Sequence, residues 1–259
     1  MTEPVIKDAA TVMLLRDGVA GVEVFVARRH SRMVFAPGMT VFPGGGVDPS
    51  DDDPVQDWVG PEPAVWADRL GVAGDRARRL VCAAARETFE ECGVLLAGAG
   101  EPVRDVHRYA EDRARLVRHE LSFGAFLHAH GLSMQTQLLT PVSNWVTPPG
   151  SPRRYDTFFF AAALPAGQEP DDATSEVDAT AWQRPADVLT QFRANESLLL
   201  PPTWAQLRWL ANFATVAEVL AAEPRIVRIG PNRRRGMVGD FPDRDAYFAD
   251  APEGFAGHA

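Results

Sequence analysis

The sequence predicts an α+β fold, and three observations carry that prediction. Two apolar, β-branched runs near the N-terminus flank a Gly-bearing turn, as in a β-hairpin. An Ala- and Arg-rich stretch without Gly or Pro follows Gly74 and runs to Gly93, as in a single helix. A second pair of apolar runs surrounds a Pro- and Gly-rich loop and precedes two segments that begin with Pro, a common first residue of a helix. With 259 residues, 46% of them hydrophobic, the chain can bury one sizeable core. No internal repeat or linker divides it. Residues 1–259 read as one domain, with an insertion at about 48–74 and a C-terminal helical extension and tail at about 185–259.

The hairpin is predicted over 9–16 and 22–29, turning at Asp17-Gly18 and Gly21. A basic stretch, Arg28-Arg29-His30-Ser31-Arg32, follows and reads either as a phosphate grip or as an exposed loop. Val41-Phe42 suits a short strand, and Gly44-Gly45-Gly46 permits a turn whose backbone comes close to another group. Residues 48–74 are rich in Pro, Gly and Asp, but Trp58 and Trp66 imply packing, as a structural flap or as a lid. A helix follows from Asp75, a fair N-cap, to Gly93. Val94–Leu96 reads as a short strand, 105–119 and 122–130 as helices, and 138–146 and 155–164 as strands. A strand over 177–182 precedes closing helices over 185–193 and 202–223, and the tail from Arg225 adds a further strand.

The stretch Arg86-Glu87-Thr88-Phe89-Glu90-Glu91-Cys92-Gly93-Val94 organises the rest. On a helix Glu87, Glu90 and Glu91 stand at i, i+3 and i+4 and share a face. Crowded carboxylates repel one another, and a hard divalent cation such as Mg²⁺ or Mn²⁺ relieves this, since it prefers oxygen ligands. The alternative is an ordinary solvated acidic face. His128 and His130, at i and i+2, point apart on a helix and do not suit a metal pair.

The order Arg-Glu-x-x-Glu-Glu-x-Gly-aliphatic resembles the second half of the Nudix hydrolase signature. Phe42-Pro43-Gly44-Gly45-Gly46 with Asp48 resembles the first half. Gly45 and Arg86 are 41 positions apart, far more than in the usual signature, so the 48–74 insertion separates the halves. The Glu that usually lies between the halves has only Asp51 to Asp53 as loose counterparts, and Thr88 stands at a usually aliphatic position. Gly38-x₃-Phe42-Pro43-Gly44-Gly45 and Trp145-Val146-Thr147-Pro148 resemble the coenzyme A diphosphatase branch, including its peroxisomal animal member. Val34 stands where the motif of that branch has Arg, with Arg32 nearby.

The resemblance implies a mixed β-sheet sandwiched between helices and metal-assisted hydrolysis of a diphosphate in a nucleotide derivative. Mg²⁺ or Mn²⁺ is the implied cofactor. Glu90 and Glu91 are the expected metal ligands, Glu87 a ligand or the base, Arg86 the residue that holds Glu87, and the Gly45 carbonyl a further ligand. Glu176, just before the 177–182 strand, is expected to complete the metal shell or act as base; otherwise it is an exposed acid. Arg28, Arg29, Arg32, Arg153 and Arg154 are the candidate phosphate contacts. Coenzyme A or acyl-coenzyme A is the leading substrate, yielding adenosine 3′,5′-bisphosphate and a phosphopantetheine product. ADP-ribose or another nucleotide sugar is the alternative, and a non-catalytic nucleotide sensor is an alternative of another class. Many such enzymes form homodimers, though no segment marks an interface.

Composition narrows the partners. A net charge of −9 argues against general nucleic-acid binding. No apolar run reaches transmembrane length and the N-terminal residues lack a signal-peptide pattern, so no membrane partner is expected. The only cysteines, Cys82 and Cys92, would lie roughly 15 Å apart on one helix, too far for a disulfide. Reduced packing cysteines fit a cytoplasmic location.

Overall fold

The computed structural model describes residues 4–30, 38–53, 58–171, 177–230, 241–253 and 255. The N-terminal hairpin forms as expected from β1 (Ile6–Gly18) and β2 (Gly21–Arg29), with Gly18 opposite Gly21 at the turn. Alternate residues of a strand face opposite sides. In β1, Ala10, Val12 and Leu14 enter one core while Met13 and Leu15 enter a second. Both faces of the strand are therefore covered, which its nearly continuous apolar run already suggests.

The pairing of β1 is forked. Its C-terminal part pairs with β2, whereas Ala9–Thr11 pairs antiparallel with a short strand through the glycine turn. That segment consists of β3 (Thr40–Val41), which pairs with β2, and β4 (Gly44–Gly46). The fork delivers three consecutive glycine backbones to the edge of the first core. Close packing requires glycine at Gly44, where a Cβ would lie 2.4 Å from the Ala10 carbonyl oxygen.

The insertion is built into the core. It holds a 3₁₀ turn (Pro49–Asp52), β5 (Trp58–Val59) and α1 (Pro63–Leu70). Trp66 and Leu70 are buried in the cluster that also holds the long helix α2 (Gly74–Cys92). In this structure the described part of the insertion packs as a flap, with Trp66 fully buried. The start of α2 differs from expectation. Ala73 is the N-cap and makes no side-chain capping bond, and Asp75 lies in the first turn, where its charge still favours the helix N-terminus. The end is as expected, with Gly93 at φ +71°.

Residues 94–96 are buried but not a strand. The side chain of buried Gln168 takes both backbone groups of Leu95, accepting from its N–H at 2.8 Å and donating to its carbonyl at 3.0 Å. The strand falls one step later, as β6 (Ala97–Gly98). A 3₁₀ turn (His107–Tyr109) then leads into α3 (Ala110–Val117), and Ser122 caps α4 (Phe123–His130). Next come β7 (Ser133–Gln135), β8 (Leu139–Val146), β9 (Arg154–Ala163), β10 (Val177–Gln183) and α5 (Pro185–Arg193). The expected 202–223 helix is two helices, α6 (Pro201–Leu210) and α7 (Val216–Ala221). The Thr215 hydroxyl accepts from the Glu218 N–H and starts the second. β11 (Arg228–Ile229) and α8 (Arg244–Asp250) are the last strand and helix among the described residues.

The main sheet has the order β10-β2-β1-β9-β8-β11. It is mixed: β1 runs parallel to β9 and β11 parallel to β8. A small sheet, β5-β7-β6, closes the insertion side. Helices α1, α2, α3 and α4 pack on one face of the main sheet, and α5 to α8 on the other. Among the described residues, no helix is long and apolar enough to cross a membrane.

Candidate active site

The acidic end of α2 is built around Arg86, whose side chain is only 4% exposed. All five of its N–H donors are engaged. Nε and Nη2 donate to the two carboxylate oxygens of Asp51, at 2.9 and 3.1 Å. Nη1 donates to Glu87 at 2.9 Å and Glu90 at 3.0 Å, and Nη2 also reaches the Gly46 carbonyl at 2.9 Å. Such charge-assisted, bidentate geometry is the strong form of this bond. It raises the Arg86 pKa against an opposing burial cost.

Each residue of the β4 turn meets a different member of this helix. The Gly44 N–H donates to Glu91 Oε2 at 2.8 Å. A Cβ at Gly45 would lie 2.4 Å from Glu87 Oε1, so the Glu87 carboxylate rests where any other residue would place its side chain. Gly46 receives Arg86. A Gly45→Ala variant is therefore expected to lose about 1–3 kcal/mol by overpacking and to displace Glu87. Urea denaturation, with Gly74→Ala as a comparison at an open glycine, checks it; equal losses would refute the Glu87 contact.

Asp51 is the residue that sequence reasoning left loosest. It is fully buried and supplies the main counter-charge of Arg86. A capping box sets it: the Asp48 side chain accepts from the Ser50 N–H, and Asp51 accepts from the Asp48 N–H. Arg78 and Arg79 hold the same turn to α2. The signal in the sequence is Asp48-Pro49-Ser50-Asp51, a helix-start pattern directly after the glycine turn. Thr88 fits its apolar position because its hydroxyl donates to the Ala84 carbonyl at 2.7 Å. His119, which the sequence reading passed over, lies at the rim with φ +54° and its Nδ1 3.7 Å from Asp48 Oδ2.

Burial raises the Glu87 pKa from 4.5 to about 7; Arg86 opposes this, and Glu90 adds to it. Burial also raises that of Glu90. A carboxylate whose folded pKa exceeds its unfolded value stabilises the fold below the unfolded pKa, and that contribution fades as pH rises through the folded one. In metal-free protein, the Glu87 contribution is thus present below about 4.5 and lost by about 7, a change of at most roughly 3 kcal/mol. Denaturant titrations in chelator at several pH values should show a steeper fall over this window for wild type than for Glu87→Gln. Parallel curves would show that Glu87 titrates normally. Both cysteines are buried thiols, with Cys92 pushed up to about 12 by burial and Cys82 raised by burial and the nearby Asp51 charge.

The candidate arginines are spread out. Arg29 projects to the α2 side of β2, sharing a face with Phe25, whereas Arg28 is exposed on the face shared with Val24 and Val26. Arg154 stands opposite Ile6 in the sheet while Gly45 stands opposite Ala10, a step of roughly 13 Å along the strand. Arg154 is buried, and its Nε donates to the Thr147 carbonyl at 3.1 Å. In this structure it braces the hairpin. Arg153 is exposed beside it. Arg32 and Glu176 lie outside the described residues. The strand that Glu176 precedes begins with Val177 opposite Arg29.

Residues 64–210, more than half of the chain, match the family model described as the NUDT19 Nudix domain. The chain belongs to the Nudix hydrolase family. A Nudix hydrolase from Alicyclobacillus acidocaldarius is 31% identical, with a TM-score of 0.69 over 85% of this chain and 98% of that one. The acyl-coenzyme A diphosphatase NUDT19 of Gallus gallus is 28% identical over 78% of this chain. The chain spans 64% of the length of that protein. The protein of the same name from Homo sapiens is 29% identical over 89% of this chain and 74% of its own length. The α/β/α Nudix layering expected from the signature is the architecture described above.

As for a metal, the donor set is one of hard carboxylate oxygens, which suits Mg²⁺ or Mn²⁺. Arg86 occupies one oxygen of Glu87 and one of Glu90, leaving the second oxygen of each outside those bonds. Among the described residues, no three His, Cys, Asp or Glu side chains are already drawn together as a metal cluster.

Proposed function

We propose that this Nudix chain is a divalent-metal-dependent diphosphatase that hydrolyses acyl-coenzyme A or coenzyme A to adenosine 3′,5′-bisphosphate and the corresponding phosphopantetheine. The observation that carries the reading is the excess of carboxylates around one buried, saturated arginine. Arg86 pairs with Asp51, Glu87 and Glu90 together, so one cation faces three carboxylates. A diphosphate would be repelled by such a site. Glu90 and Glu91, with Glu87 and the Gly45 carbonyl as further donors, would hold Mg²⁺ or Mn²⁺, which would invert the local field and supply water activation and charge stabilisation at phosphoryl oxygens.

The residues of the chain do the remaining work. Arg86 holds one carboxylate oxygen of Glu87 and one of Glu90 before any ligand arrives, so part of the site is ordered in advance. Burial brings Glu87 to about 7, which also suits a proton acceptor at neutral pH. Arg29, on the α2 face of the sheet, is the arginine assigned here to phosphate. The acyl-coenzyme A substrate rests on the names of the chicken and human relatives and on the Phe42-Pro43-Gly44-Gly45 and Trp145-Val146-Thr147-Pro148 motifs.

The test is product analysis after incubation with acyl-coenzyme A, coenzyme A, ADP-ribose and NADH in Mg²⁺ or Mn²⁺. Release of adenosine 3′,5′-bisphosphate, abolished by chelator, is the expected result. Faster turnover of ADP-ribose would refute the substrate and retain the chemistry. Tight nucleotide binding without turnover would identify a sensor.

A further inference from the structure

We propose that Arg113 and Asp171 form a positioning clamp that holds the metal-binding turn of α2 in register; the inference rests on the reading of Glu90 and Glu91 as metal ligands. The last carbonyls of a helix have no intrahelical partner, and cations are favourable there. At the end of α2 this need is met from outside. Arg113 of α3 donates to the Glu90 carbonyl through Nη2 at 3.0 Å and Nε at 3.2 Å. The same guanidinium binds Asp171 in a fork, Nη1 to Oδ2 at 2.6 Å and Nη2 to Oδ1 at 2.9 Å. Asp171 returns to the helix, its N–H donating to the Cys92 carbonyl at 2.9 Å.

Glu90 is thus held at both ends by arginines, its carboxylate by Arg86 and its carbonyl by Arg113. Glu91, one residue on, inherits that fixed backbone. The clamp also gives Gly93 a second role. Its positive φ ends the helix, and a Cβ there would lie 2.8 Å from both Arg113 Nη1 and Asp171 Oδ2. The glycine of the signature is therefore the floor on which the ion pair sits. Asp171 and Arg113 are 58 positions apart and come from a loop and a helix.

The clamp touches neither the metal nor the reacting atoms, so its effect must show in how well the turn binds a metal. Arg113→Lys keeps the charge but loses the planar fork. Asp171→Asn keeps the shape but loses the charge. Both are made in the full chain, with Arg118→Lys as a control for an exposed ion pair. Free Mn²⁺ is measured by its paramagnetic signal, alongside the melting temperature, kcat and KM.

The clamp predicts that each variant melts cooperatively and binds Mn²⁺ about 10- to 100-fold more weakly, with kcat lowered by a similar factor and KM moved by less than about threefold. The double variant should be no worse than the weaker single one, because the two residues act as a unit. Folded variants whose Mn²⁺ affinity stays within about threefold of wild type would overturn the clamp, whatever their melting temperature. A wild-type chain that binds Mn²⁺ yet cleaves no diphosphate would refute the proposed activity and leave the affinity comparison to decide the clamp. A wild-type chain that binds no Mn²⁺ overturns both.

Discussion

Exchanging Glu90 and Glu91 together for Gln is expected to lower diphosphate hydrolysis by roughly 10³-fold or more, about 4 kcal/mol of transition-state stabilisation, while the protein stays folded. Gln matches Glu in shape, and its side-chain oxygen can still accept from the Gly44 N–H and from Arg86. What disappears is the negative charge of both side chains. Glu90 carries a raised pKa because burial disfavours its charge, so neutralising it relieves the fold rather than harming it. Initial rates in saturating Mn²⁺, with melting curves in chelator, separate the two effects. An unchanged or raised melting temperature with the activity lost is the expected pair of results. Activity within about tenfold of wild type would place the reaction elsewhere.

The largest stability effect is expected at Asp51. Asp51→Ala removes both acceptors of a bidentate pair and leaves a buried guanidinium short of its main counter-charge. Breaking one side of a buried ion pair costs about 3–5 kcal/mol, against near neutrality when both partners are replaced by apolar groups. In a protein of this size that corresponds to a fall of roughly 6–20 °C in melting temperature. The double variant Asp51→Ala with Arg86→Met should be more stable than Asp51→Ala alone. A fall of less than about 2 °C for the single variant would show that Arg86 is neutralised by Glu87 and Glu90 without help.

The strands of the main sheet were legible because their pattern is local. β1 carries apolar residues to both faces, and α2 is free of breakers from its first turn to Gly93. The carboxylate set was legible for the same reason, since i, i+3 and i+4 on one helix is a local relation. The counter-charges were not. Asp51 lies 35 positions from Arg86, and Arg113 lies 23 from the Glu90 carbonyl that it meets. No periodicity reports such pairs. Chain breaks set by a single distant hydrogen bond were equally hidden. Asp17 accepts from the Val216 N–H across 199 positions and marks where the expected 202–223 helix restarts. The role of the insertion followed only in part from its composition: two tryptophans signal packing, but not that Trp66 would reach the centre of the core.

Arg86 also bears on the chemistry of inhibition. Every proton it can donate is already committed within the protein, so it behaves as a rivet and not as a hand held out to ligand. An anionic group added to a compound in the hope of recruiting this arginine would find no donor and would face the surrounding carboxylates instead. Chelating head groups that carry their own metal, or cationic ones that take its place, are the chemotypes that these carboxylates would welcome.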